Sequence, residues 1–109
     1  MMLNDELLGI LDFLREAERL KNVFRTSWTS GGQQESTASH TWRLCLMALV
    51  LGEQFPSIDQ GRLLQLCIVH DLGEAIHGDI PAIHQDANAP KAHQERQDLL
   101  TLVAPLPAA

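Results

Sequence analysis

Apolar residues at helical spacing mark the first element. Leu7, Ile10, Leu11, Leu14 and Leu20 share a face over residues 5–21, with Asn4 as an N-cap candidate and acids in the first turn. The Thr-, Ser- and Gly-rich piece from Thr26 to Ser39 breaks that pattern, and Gly31-Gly32 marks a flexible loop. A second helix is expected from about Ser36 to Gln54. Its stretch "WRLCLMALVL" is apolar on nearly every side, which suits a central helix surrounded by others. Pro56 ends the connection, and Ser57 with Gln60 resembles a capping box opening a third helix that runs to about His70 or Asp71. Leu72 to His77 reads as a short continuation with Gly78 as its left-handed stop. Beyond a loop through Pro81 and Asn88 to Pro90, Lys91 to Val103 reads as a last helix with Ala92, Leu99, Leu102 and Val103 inward. The alternating, β-branched pattern of strands is missing throughout. The expected fold is all-α, with about five helices.

Composition narrows the function. A chain of 109 residues is expected to form one domain, 1–109. The net charge of −6, with only eight Lys and Arg scattered along the chain, argues against a surface that tracks a nucleic-acid polymer. A phosphorylated small molecule remains compatible, because one Arg and a metal ion can supply local positive charge. Cys45 and Cys67 both sit in apolar runs without a CxxC partner and read as free, buried thiols. The N-terminus lacks the basic segment of a signal peptide, and the run from Leu44 to Leu51 is too short to span a bilayer. A cytoplasmic protein without a membrane partner is the expectation.

The apolar run Leu63 to Val69 leads directly into His70, Asp71, Glu74, His77 and Asp79. His40 opens the second helix, and His70 and Asp71 close the third. Antiparallel neighbours bring the start of one helix beside the end of the next, so the three can meet at one rim of the bundle. Two imidazoles and a carboxylate suit zinc or another divalent transition ion. The bland alternative is a set of separately hydrogen-bonded residues at a solvated helix end. Glu74 follows His70 by four positions, which places both on one face if the helix continues.

The segments "ESTASHTWRLCLMAL" and "IVHDLGEAIHGDIPA" together resemble the HD-domain metal-dependent phosphohydrolases, and within them the small 5′-deoxynucleotidases. The resemblance covers roughly Lys21 to Ala82 and extends more loosely over the last helix. It implies an α-helical HD fold and the removal of phosphate from nucleoside 5′-monophosphates with one divalent ion (Co, Mn, Mg or Zn). It implies His40, His70 and Asp71 as metal ligands, and Glu74 and Asp79 as the catalytic acids that handle the nucleophilic water and proton transfer. Through "LKNVFRTSW" it implies Arg25 as a phosphate holder and Trp28 as a wall or stacking platform for sugar and base. Read from the residues alone, Arg25 serves equally as a surface charge, Trp28 as loop or core packing, and Glu74 and Asp79 as a helix turn and a loop cap. His77 either orients a phosphate or caps the short helix; His84 and His93 read as surface histidines. Glu35 and Ser36 read as a helix-start device, with Glu35 available to orient a metal ligand.

Members of that family bring a second Asp from a later helix to close the metal site, whereas this chain stops at "PLPAA". The resemblance therefore implies a partial, C-terminally truncated HD domain, with three ligands, an open position and weaker ion affinity. Asp86 and Asp98 lie in no matching context and are not assigned as ligands. Helices as apolar as the second and third then predict self-association, most simply a homodimer. The alternative to an enzyme is a catalytically impaired nucleotide- or metal-binding module acting through that self-association.

Overall fold

The computed structural model describes residues 3–78 and 91–107. Helix α1 spans Asn4–Ala17 and passes into a 3-10 turn, Glu18–Asn22. A hairpin follows, β1 Phe24–Trp28 and β2 Gln34–Ser36, then α2 Thr37–Leu51 with a 3-10 turn at Gly52–Gln54, α3 Gln60–Val69, α4 Glu74–His77 and α5 Lys91–Val103. The helical bundle agrees with expectation, and the hairpin is the addition to it. Its two strands pair antiparallel, Phe24 opposite Ser36 and Trp28 opposite Gln34. The turn is closed by Thr29 N–H donating to the Gln33 carbonyl at 2.7 Å and by Gly32 at φ 82°. No alternating pattern announces these strands because they lie on the surface with no buried face.

Helix boundaries differ in the capping chemistry. Asn4 lies inside α1, and the preceding Leu3 N–H donates to Glu6 Oε2 at 3.4 Å. Ser36 caps α2 by accepting from Ser39 N–H at 3.1 Å. Asp59, not Ser57, caps α3 by accepting from Arg62 N–H at 3.1 Å. Gln60 is used elsewhere: its Nε2 donates to the Ala48 carbonyl at 2.9 Å. That bond pins the start of α3 to the end of α2 and sets the pair antiparallel. Gly78 closes α4 at φ 78°, as its permissive backbone allows.

The core is small and centred away from α2. Leu20, Ala75 and Leu102 are buried, with Phe13, Ala38, Leu72 and Ile76 packed against them. Of the residues expected inward in α5, Leu102 is buried and Leu99 and Val103 are half-buried, while the Ala92 side chain lies outside the described residues. On the first helical face, Leu20 is buried but Leu7, Leu11 and Leu14 are exposed. α2 is not the enclosed central helix that its composition suggests: Leu46, Met47, Leu49, Val50 and Leu51 are all exposed. Its apolar character exceeds what α3 alone can cover. The two thiols are free, Cys67 buried and Cys45 half-buried, and burial together with the nearby Cys67 raises the Cys45 thiol above its ordinary range.

Gly73 marks a close backbone approach beside the site. A Cβ there would lie 2.8 Å from the Glu95 carbonyl oxygen and 3.2 Å from the Leu99 amide. Only glycine lets α5 settle against the turn between α3 and α4, which carries the chemistry described next. No helix among the described residues is long and apolar enough to cross a membrane.

Candidate metal centre

His40 stands in the first turn of α2, held in place by the Ser36 cap, and His70 ends α3 with its N–H bonded to the Leu66 carbonyl at 3.0 Å. Since Gln60 fixes the far end of the α2–α3 pair, these two histidines meet at the near end. Their ring centroids are 6.2 Å apart and tilted by 57°. Asp71 joins them from the tight turn after α3. One ligand atom from each of His40, His70 and Asp71 lies within 4.8 Å of the others.

The hydrogen bonds around His70 favour a cation in that space. Nδ1 faces the Cys67 carbonyl at 2.8 Å, and a carbonyl can only accept, so Nδ1 carries the proton. In a neutral ring the lone pair is then on Nε2, which lies 2.9 Å from Asp71 Oδ2. Two acceptors that close repel unless a proton or a metal ion bridges them. The donor set also fits an ion sterically. Bonds of about 2.1 Å put tetrahedral ligands ~3.4 Å apart, so ligand atoms within 4.8 Å of one another can reach one ion by small side-chain shifts. His70 thus has the backbone partner that metal-ligating histidines use to fix their tautomer.

Around this point the remaining residues fall into two groups. Glu74 is buried, 4% exposed, and its Oε2 accepts from the hydroxyl of the fully buried Thr37 at 3.0 Å. It lines a cleft of about 220 Å³ with His70, Asp71, Glu95, Arg96 and Leu99. On the other side, Glu35 of β2 reaches towards His40, with Oε1 3.7 Å from His40 Nδ1. The same oxygen lies 3.1 Å from Arg25 Nε of β1, so the hairpin sets Arg25 one carboxylate away from His40. Trp28, at the far end of β1, is 69% exposed and lines a different cleft. Asp79, expected as a second catalytic acid, lies outside the described residues, as do His84 and Asp86.

Two residues lining the cleft had no sequence signal. Glu95 and Arg96 reach the cleft only because Gly73 admits α5, a contact that spacing along the chain does not encode. His77 is bound by a buried acid of α5: its Nδ1 is 2.8 Å from both oxygens of Asp98, to which Gln94 also donates at 2.9 Å. Asp98 thus ties α5 to α4. His93 is exposed, as expected.

Comparison with known proteins identifies the family. A 5′-deoxynucleotidase of Schizosaccharomyces pombe is 32% identical over 98 residues, covering 88% of this chain and 48% of the relative. The human 5′-deoxynucleotidase HDDC2 is 35% identical over 92 residues, covering 83% of this chain and 43% of its own length. The chain spans about half the length of the curated relatives it matches. Among solved structures, a predicted metal-dependent phosphohydrolase from Magnetospirillum magnetotacticum superposes with a TM-score of 0.80 at 28% identity, over 98% of this chain and 55% of that one. A conserved hypothetical protein from Pyrococcus furiosus gives 0.75 at 31% identity, over 86% and 60%. The sequence profile of the HD domain matches residues 17–109, most of the chain, and so the protein belongs to the HD-domain family.

Proposed function

We propose that this protein acts as a metal-dependent phosphohydrolase that removes phosphate from 2′-deoxynucleoside 5′-monophosphates. The observation that carries the reading is the convergence of His40, His70 and Asp71 on a single point in an HD-domain chain. These three residues would hold one divalent ion, which, when bound, polarises a phosphoryl oxygen and acidifies a water molecule. Glu74, at the rim of the same space, takes the proton from the attacking water, and Asp79 is assigned to the leaving alkoxide. Arg25 turns its guanidinium from Glu35 to the substrate phosphate, a bidentate match that Lys cannot copy. Glu35 then remains beside His40 to steady that ring.

Purified protein supplied with manganese, cobalt or magnesium is expected to release inorganic phosphate from 2′-deoxynucleoside 5′-monophosphates. Phosphate release no greater than that of a chelated control, with all three ions, rules the reading out.

The protein is also proposed to work as a homodimer. Leu46, Met47, Val50 and Leu51 of α2 and Leu66 and Ile68 of α3 are exposed apolar side chains that a second copy would cover. Light scattering behind size exclusion should give twice the chain mass at micromolar concentration, falling to one chain mass in Leu46→Glu. A wild-type monomer under those conditions contradicts the assignment.

A further inference from the structure

A second cleft lies beside the metal centre, and of its residues only Trp28 and Glu35 have been given a role so far. It holds about 250 Å³ between Trp28, Thr29 and Ser30 of the hairpin and Ser39, Trp42 and Arg43 of α2. Three features make it a built recess. Trp28 and Trp42 are 69% and 67% exposed, a large cost for two indoles that could each bury most of their area. They line one cleft without ring contact between them, so a planar guest has room to lie against either. Arg43 makes no hydrogen bond or ion pair among the described residues, leaving its planar fork of donors available.

The cleft also adjoins the proposed phosphate site. Ser39 precedes the ligand His40, and Arg43 follows it by one helical turn, so their side chains rise from neighbouring positions on α2. Glu35 lines the cleft while its Oε1 stands 3.7 Å from His40 Nδ1. A molecule with its phosphate at the metal centre therefore has this recess beside it.

We infer that the Trp28–Trp42–Arg43 cleft binds the nucleobase of the substrate, with Trp42 as the stacking wall contributed by α2 and Arg43 donating to acceptors on the base edge. The inference rests on the proposed phosphohydrolase reading for its orientation, but not for its detection. Indole faces stack on any base, which predicts weak discrimination by stacking alone. Base selectivity then falls to Arg43, because a fork of N–H donors matches carbonyl and ring-nitrogen acceptors.

Both tryptophans of the chain line this cleft and there is no tyrosine, so intrinsic fluorescence reports on it directly. The full chain is titrated with 2′-deoxyguanosine, which carries no phosphate, and with inorganic phosphate as the control probe. Deoxyguanosine is expected to quench the emission saturably, and inorganic phosphate to leave it unchanged. Trp42→Ala should weaken the nucleoside about tenfold or more, with the remaining Trp28 as reporter, and Trp42→Phe should restore most of the affinity. Arg43→Ala should narrow the difference between deoxyguanosine and thymidine. Circular dichroism identifies any variant that has failed to fold, and Trp42→Phe then decides the case. Absence of quenching by deoxyguanosine at millimolar concentration, or equal affinity in wild type and a folded Trp42→Ala, overturns the inference. Quenching without phosphate release from deoxynucleotides leaves the cleft standing and removes the hydrolase reading. Phosphate release without quenching does the reverse.

Discussion

Replacing His70 by alanine is expected to abolish stoichiometric binding of a divalent ion and to lower phosphate release by about a thousandfold or more, a barrier change of roughly 4 kcal/mol. The same holds for Asp71→Ala, and His40→Ala should follow. His70 has the greatest effect because two of its contacts are committed to the site: Nδ1 to the Cys67 carbonyl and Nε2 to the Asp71 carboxylate. Removing the ring deletes a ligand and frees Asp71 to turn away. Exposed His93 on α5 is the control, and His93→Ala should keep one ion per chain. Occupancy after equilibrium dialysis, measured by elemental analysis, checks the series. One equivalent retained in His70→Ala or Asp71→Ala removes these residues from the ligand set.

The parts of this site visible in sequence are those whose chemistry is local. His70 and Asp71 are adjacent, and Leu63 to Val69 identify the rod that carries them. His40 was readable because two successive antiparallel helices leave one end free to meet. The same reasoning fails where a contact depends on one atom of clearance. Nothing in the spacing of Gly73 says that α5 comes within 2.8 Å of its missing Cβ, and with that contact come Glu95, Arg96 and the Asp98 partner of His77. The hairpin was hidden for a different reason. Thr26 to Ser36 contributes almost nothing to the core, so no burial pattern constrains its sequence, yet the pairing sets Arg25 beside Glu35 and Trp28 across from Trp42. In α2 the error ran the other way. A helix apolar all round signals full burial, but the described residues cover it on one side only, leaving Leu46, Met47, Leu49, Val50 and Leu51 exposed.

Glu74→Gln should separate chemistry from architecture. The buried Glu74 carboxylate accepts the Thr37 hydroxyl at 3.0 Å, and Thr37 N–H in turn donates to the Val23 carbonyl at 2.7 Å. One side chain therefore ties α4 to the start of α2 and to the entry of β1. Glutamine keeps an oxygen that can accept from Thr37 but is no base. Its stability in urea should stay within about 1 kcal/mol of wild type, while phosphate release falls by about a hundredfold or more. Glu74→Ala loses both functions: the Thr37 hydroxyl, fully buried, is left without this acceptor, at a cost of about 1–3 kcal/mol. Thr37→Val removes the same bond from the other side and should cost stability with a much smaller loss of rate. If Glu74→Gln instead hydrolyses substrate at the wild-type rate, the carboxylate is a strut between helices and the proton acceptor must be sought elsewhere. A large loss of rate in a variant of unchanged stability assigns it to the reaction, since packing alone gives no reason for an amide and a carboxylate of the same shape to differ.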